Sequence, residues 1–399
     1  MDNINIIAQY LEKGCKNKQT DDIGIELEHF IVEKGSGRNV PYSGDKGVRK
    51  ILEIISEYYD KKVYSEGFLI ALSNGRYHLT LEPSAQLEIS INPTALIAEA
   101  EKIYGEFTGI ITPVLDSFGY ELLTEGYRRR DRAEDLELIP KKRYEFMDYY
   151  FETSGSRGKN MMRSTASVQV SIDYADERDC AEKFRTANIL SPIFAFICDN
   201  SKYFDGEKYS GRMLRTHIWR NVDKDRCGIV PCTFDKDFGF RKYAEYIYNS
   251  PAILVMDNGI PRFTGEEKIS SIYKDVTLTE SEVEHLLSMF FPDVRLKQYI
   301  EIRPADSMPI EYALSYAAFV KGIFKKKFDM DGITAADVEN AKTELINNGF
   351  DAVVYGEKAY KLCERLLAHS KLNLNDADAQ YLAPMEQIIK SRKTLREMD

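Results

Sequence analysis

Glu26 and Glu28 stand two residues apart in Ile25-Glu26-Leu27-Glu28, Gln86 and Glu88 in Gln86-Leu87-Glu88, and Glu301 and Arg303 in Glu301-Ile302-Arg303. Carboxylates are the hard oxygen donors that magnesium takes together with waters and substrate phosphates. Arginine forks match phosphate and carboxylate. A two-residue spacing places side chains on one face of a strand. Two further segments have the same period: Gln169, Ser171 and Asp173 alternate with Val168, Val170 and Ile172, and Arg215, His217 and Trp219 alternate with Leu214, Thr216 and Ile218. If the five segments share one sheet, its polar face carries Glu26, Glu28, Glu88 and Glu301 with Arg215 and Arg303. That face suits several divalent cations and a polyphosphate. Carboxylates gathered in this way repel one another unless something cationic sits among them. Taken singly, each segment also fits a plain alternative, a wet sheet face or a cross-strand ion pair.

The elements that must position these residues are legible in outline. Strands are expected over Ile23–Val32, Leu79–Ile91 with a kink at Pro83, Arg163–Tyr174, Met213–Trp219 and Val294–Arg303. Ser73-Asn74-Gly75-Arg76 carries a hairpin signal. Helical spacing runs through Leu96, Ala100, Ile103, Phe107, Ile111, Val114 and Phe118, and again near Cys180–Ile197. Thr279-Glu280-Ser281-Glu282 reads as a capping box that opens a helix. Helices are also expected at Asn5–Lys13, through Ala313–Val320, and at Thr334–Asn347, Tyr360–Ala368 and Asp376–Met398. The chain therefore reads as α+β: a catalytic body over 1–330 and a helical C-terminal extension over 331–399 packed on it. The segments Tyr127–Arg132 and Gly155–Gly158 are candidate lids.

The chain has 399 residues, 43% hydrophobic and 30% charged, with a formal charge of −10. This acidic balance argues against general nucleic-acid or anionic-membrane binding. No run of eighteen apolar residues occurs, so no membrane span is expected. The opening residues lack the pattern of a signal peptide. The six cysteines form no CxxC pair and have no zinc-ligand spacing, so free thiols and a cytoplasmic location are expected. Oligomeric state is not legible. No GxxxxGK[ST], GxGxxG, GxSxG or HExxH motif occurs, so a nucleotide would have to bind outside the Walker and Rossmann folds.

Several stretches together resemble the plant/proteobacterial-type glutamate–cysteine ligases. They are Gly24–Glu28, Leu81–Ser90, Arg143–Met147, Met161–Val170, Arg215–Arg220 with Asp223–Arg226, Asp237–Phe240, Phe291–Lys297 and Glu301–Arg303. They span roughly 22 to 320 in the family's order. The resemblance implies a glutamine-synthetase-like fold, a curved antiparallel sheet forming an active-site funnel surrounded by helices. It implies ATP-dependent joining of the γ-carboxylate of L-glutamate to the amine of L-cysteine through an acyl phosphate, with Mg2+. By motif position it implies magnesium ligands at Glu26, Glu28, Glu82, Glu88 and Glu301. It places Gln169 and Gln86 in the site, and Arg163, Arg215 and Arg303 on phosphate or substrate carboxylate. His217 and Trp219 would bound the acceptor pocket. The chain departs from the family pattern at Ser84-Ala85, where Gly-Gly is usual, and at Pro304, where Gly is usual. Two alternatives remain open: a ligase of the same fold with another amine acceptor, and a non-catalytic ATP- or amino-acid-binding regulator.

Overall fold

The structure, a computed structural model, describes residues 2–257 and 259–398. Its centre is one antiparallel sheet of nine strands: β1 (Ile23–Glu33), β2 (Lys61–Ser65), β3 (Phe68–Ser73), β4 (Tyr77–Leu81), β5 (Leu87–Thr94), β6 (Tyr120–Leu123), β7 (Ser167–Ile172), β8 (Val294–Leu296) and β9 (Ile300–Asp306). Their order in space is β8-β9-β7-β1-β5-β4-β3-β2. The first half of β1 pairs with β7 and its last four residues with β6.

Alternation decides which side of the sheet is apolar. Ile25, Leu27, Leu87, Ile89, Val168, Val170, Ile300 and Ile302 are all buried. They lie beneath α1 (Ile97–Phe118), α4 (Glu177–Ile197) and α7 (Ile310–Phe324). Burying each such side chain contributes about 1.5–3 kcal/mol, which fixes the register, because a slip of one residue would turn the whole apolar set outward. The register sets the polar face: Glu28 lies opposite Glu88, Glu26 opposite Gln169 and Ser90, and Glu301 opposite Ser171. The expectation of an α+β protein with helices around an antiparallel sheet holds.

Three expected strands need correction. The run from Leu79 to Ile91 is a hairpin, β4 and β5, rather than one kinked strand. Its turn, Glu82–Gln86, is closed by Glu82 N–H donating to Gln86 O and Ala85 N–H donating to Glu82 O, both at 2.9 Å. Ala85 sits there at φ 62°, the left-handed region that favours glycine. Met213–Trp219 is not a strand but a helix, α5 (Leu214–Trp219). Leu214 and Ile218 are four apart as well as alternating, and a six-residue window fits both periods. Residues 163 and 164 end a helix, α3 (Gly158–Ser164), so the strand starts only at Ser167.

The capping box is present: Thr279 Oγ1 and Glu282 bond each other's backbone at the start of α6 (Glu280–Leu287). α8 (Ala335–Asn348) opens on a second one at Thr334 and Asp337. α9 (Ala359–Asn373) packs along α7. Lys321 of α7 pairs at 2.6 Å with buried Asp378, which also accepts from the first amide of α1 at 2.9 Å. The expected helix over Asp376–Met398 is broken into Asp376–Ala379, Ala383–Ser391 and two short turns.

Candidate active site

The polar face of β1, β5, β7 and β9 walls a cavity of about 250 Å³. Helices α2 (Lys142–Ser154), α3 and α5 close its other sides. Four carboxylates reach it, Glu26, Glu28, Glu82 and Glu88, and five cations, Arg143, Arg215, Arg295, Lys297 and Arg303. Tyr144, Met147, Met161, Met162, Trp219 and Phe291 supply apolar wall. A second chamber of about 230 Å³ shares Glu26 with the first and is lined by Ile25, Ile91, Pro93 and Tyr299 together with Asp22 and Asn92.

The carboxylates are not equivalent. Glu28 accepts from Ser167 N–H at 2.7 Å, Ser167 Oγ at 2.8 Å and Gln169 Nε2 at 3.1 Å. Glu88 accepts on Oε1 from Thr80 and Ser90. Among the described residues, the carboxylates of Glu26 and Glu82 have no hydrogen bond or ion pair. Burial, with Glu88 and Glu301 nearby, pushes the Glu26 carboxyl up to about 8. Burial and Glu28 push Glu82 to about 7, and burial with Glu82 and Glu28 pushes Glu88 to about 7. Glu301 behaves in the opposite way. Burial raises it, but Arg295 at 2.7 Å, Lys297 at 2.9 Å and Arg303 at 2.9 Å more than reverse this and hold it well below the usual range.

These differences decide which groups fit a divalent cation. Glu26, Glu82 and the free oxygen of Glu88 offer hard, repelling donors to one cavity, as such an ion requires. Among the described residues no three acidic, histidine or cysteine side chains are already gathered around a metal position. The donor set therefore suits an ion that keeps waters and takes substrate oxygens. Glu301 does not fit: it shares the polar face as expected, but it is fully buried behind the cavity and both oxygens are held by cations. It anchors the arginines. Glu28 is largely occupied by its three donors.

The arginines also divide. Arg303 donates from Nη1 to Gln169 Oε1 at 2.6 Å and to Glu301 Oε2 at 2.9 Å. Gln169 in turn bonds Glu28, so the two sides of the cavity are tied through one amide. Arg215 donates to the carbonyls of Pro304 and Ala305 at 3.1 and 2.8 Å. Those carbonyls are at a bulge, where β9 has one more residue than β7 between Ile302 and Ala305. Proline is tolerated there because the bulged residue needs no ladder N–H. Arg143, Arg215 and Arg295 each keep a buried Nε with no partner. Together with Arg303 and Lys297 they gather positive charge around the cavity, which suits an anion.

Arg163 is not part of the site. It grips Asp148 through Nε at 3.1 Å and Nη2 at 2.5 Å, and Leu136 O at 2.9 Å, joining α3 to α2. His217 is exposed, because in a helix it points away from Arg215 and Trp219, which share a face four residues apart. Gln86 touches the cavity, but its amide is taken by Ser84 N–H and by the carbonyls of Met162 and Thr165. The supposed lid Tyr127–Arg132 begins with two fully packed residues, Tyr127 and Arg128, the latter bonded to the carbonyls of Ser84 and Arg163. Arg143, Arg295 and Lys297 were not expected as site residues. Arg295 and Lys297 had a signal, the same two-residue alternation as Glu301 and Arg303.

The raised carboxyls predict a pH dependence. A carboxyl that holds its proton more tightly when folded favours the folded state at low pH, and this advantage is lost as pH rises. From the ordinary glutamate value of about 4.3 up to about 8, Glu26, Glu82 and Glu88 should therefore destabilise the metal-free fold progressively. The melting temperature without divalent ions should fall between pH 5 and pH 8, and magnesium should recover most of the loss at pH 8. A flat profile that magnesium does not move would contradict the assignment.

Residues 22–393 match the family model described as glutamate-cysteine ligase family 2. The chain is 31% identical over 353 residues to the chloroplastic glutamate–cysteine ligase of Brassica juncea, covering 86% of this chain and 68% of that one. It is 31% identical over 360 residues to the chloroplastic glutamate–cysteine ligase B of Oryza sativa subsp. japonica, covering 85% and 70%. Among solved structures, the glutamate–cysteine ligase of Francisella tularensis in complex with AMP aligns over 95% of this chain and 84% of that one, with a TM-score of 0.48 at 11% identity. The plant relatives are chloroplastic by name, which overturns the expectation of a cytoplasmic protein. Among the described residues no helix is long and apolar enough to cross a membrane. With the matched span reaching from β1 through the C-terminal helices, the chain belongs to glutamate–cysteine ligase family 2.

Proposed function

We propose that this chain joins the γ-carboxylate of L-glutamate to the amine of L-cysteine at the expense of ATP, giving γ-glutamylcysteine, the first step of glutathione synthesis. The observation that carries the reading, in a chain of this family, is one cavity lined both by the unpartnered carboxylates of Glu26 and Glu82 and by Arg143, Arg215, Arg295 and Arg303. A γ-carboxylate oxygen attacks the γ-phosphorus of ATP, the bond to ADP breaks, and an acyl phosphate forms. The cysteine nitrogen then attacks the acyl carbon, inorganic phosphate leaves, and the nitrogen gives up a proton. Such chemistry needs positioning and charge neutralisation more than a protein nucleophile. Magnesium, held by Glu26, Glu82 and Glu88, would supply charge neutralisation on the phosphates. Arg303 presents donors to the transferring phosphoryl group. Arg215, Arg143 and Arg295 offer forks to phosphate or to substrate carboxylate. The wall of Trp219, Met161, Met162 and Phe291 keeps water from the acyl phosphate. The second chamber, walled by Ile25, Ile91, Pro93 and Tyr299, suits the flat base of the nucleotide.

We read residues 1–330 as the catalytic body and 331–399 as a helical extension on it, supported by the packing of α9 along α7. His217→Ala should leave every KM within about twofold of wild type, as an exposed substitution away from a site commonly does. A substrate-specific rise would return His217 to the pocket. The acceptor is tested by competition among cysteine, 2-aminobutyrate, glycine and larger amines at fixed glutamate and ATP. Cysteine should lead, with 2-aminobutyrate behind by roughly 1–3 kcal/mol of discrimination. A clear preference for another amine would assign a different ligase of this family.

A further inference from the structure

Two of the cavity's arginines, Arg215 and Arg303, come from elements that lie side by side without sharing a sheet. α5 brings Arg215 and Trp219, and β9 brings Arg303. A narrow groove between them is lined by these three residues, Phe291, Asp293 and Pro304. The bulge in β9 begins just after Ile302, so the backbone of Arg303 is not paired with β7, although its side chain meets Gln169. Its N–H instead donates to Asp293 O at 3.0 Å. Arg215 is tied to β9 directly through the carbonyls of Pro304 and Ala305, and a second brace between the two arginines comes from what holds Asp293 relative to α5.

Helix α8 of the C-terminal extension holds both. Arg220, which caps the C-terminus of α5, meets Glu339 Oε2 from Nη2 at 2.7 Å and from Nε at 3.2 Å. Glu339 Oε1 meets Lys342 Nζ at 2.7 Å, and the same ammonium meets Asp293 Oδ2 at 2.7 Å. Lys342 is 3% exposed. The four charges alternate in sign and sum to zero. The chain runs from the end of α5, across one turn of α8, to the residue that grips Arg303. Of the four only Lys342 is buried, so removing Glu339 leaves that ammonium with Asp293 as its one carboxylate partner, and the cost of an undercompensated buried charge falls there.

We propose that Glu339 and Lys342 are positioning residues for the ligase reaction, bracing the end of α5 against Asp293 beside Arg303 and with it the fit of the anionic amino-acid substrate. The proposal rests on the reading of this site as the glutamate-activating site. It gives the C-terminal helices a part in catalysis although none of them lines the cavity.

Trp219 provides a readout that does not need activity, because it is the one tryptophan in the sequence and stands beside Arg220 at the end of α5. The test compares wild type with Glu339→Gln, Arg220→Met and Lys342→Arg in the full chain. Three quantities are read: acrylamide quenching of Trp219, KM for glutamate against kcat and KM for ATP, and melting temperature. Glu339→Gln and Arg220→Met should raise quenching and raise KM for glutamate about tenfold, the scale of a small misplacement of binding groups, with KM for ATP unchanged. Lys342→Arg, which keeps both ion pairs, should stay near wild type. Unchanged quenching and unchanged glutamate KM with a lowered melting temperature would overturn the proposal and leave the network purely structural. If wild type releases no phosphate with glutamate and cysteine, the function reading fails. The quenching result still decides whether α8 sets the place of α5.

Discussion

Arg303→Lys should lower kcat on the order of 10²-fold, as loss of one preorganised donor to developing charge does, while the melting temperature moves little. The lysine keeps the charge beside Glu301, which retains Arg295 and Lys297 as well. The loss is therefore in the fork. Nη1 of Arg303 is engaged by Gln169 and Glu301, while Nε and Nη2 have no hydrogen bond among the described residues and the side chain lines the cavity. A lysine places one ammonium where the arginine holds a plane with donors on two edges. The measurement is kcat and KM beside a thermal melt. Early melting with full activity in the folded fraction would make Arg303 a structural bridge only.

Glu26→Gln should act on activity and stability in opposite directions. Turnover should fall on the order of 10²–10³-fold, as expected for loss of a group that organises transition-state charge, and the magnesium requirement should rise. Without divalent ions at pH 8 the same variant should melt higher than wild type, because it removes an anion that burial opposes first and Glu88 and Glu301 next. Sites that hold like charges together for function are where such a trade is found. Glu301→Gln should do the reverse for stability: it leaves Arg295, Lys297 and Arg303 facing one another in a buried place, and the fold should weaken. Two variants of one residue type on one sheet face thus separate a metal ligand from an anchor. A Glu26→Gln protein that melts lower, or works normally at saturating magnesium, would contradict the assignment.

The sheet was legible because its strands obey one rule. In the stretches Ile23–Leu27, Leu87–Ile91, Val168–Ile172 and Ile300–Ile302 every second residue is a branched aliphatic, and the polar residues between them converge as the period requires. The two-residue rule stops working where the window is short. Leu214, Thr216 and Ile218 satisfy the strand period and Leu214 with Ile218 the helix period, and only packing decides between them. That one difference removed His217 from the cavity while leaving Arg215 and Trp219 in it. Function at Arg163 and Glu301 was misjudged for another reason. Both sit in the expected motifs, but Asp148 occupies the first and three cations occupy the second. A partner brought in from elsewhere in the chain leaves no mark in the motif itself. Arg295 and Lys297 show the converse, since their alternation was readable and their role emerges once β8 is seen to pair with β9. Arg143 had no such signal; it reaches the cavity from a helix.

The most direct test is phosphate release from Mg-ATP with L-glutamate, with and without L-cysteine, followed by mass spectrometry of the product. Release should be slow with glutamate alone, because the acyl phosphate is shielded from water. It should rise sharply on adding cysteine, with one phosphate released for each γ-glutamylcysteine formed. Phosphate release that cysteine does not stimulate, or no release with either substrate, would contradict ligation at this cavity.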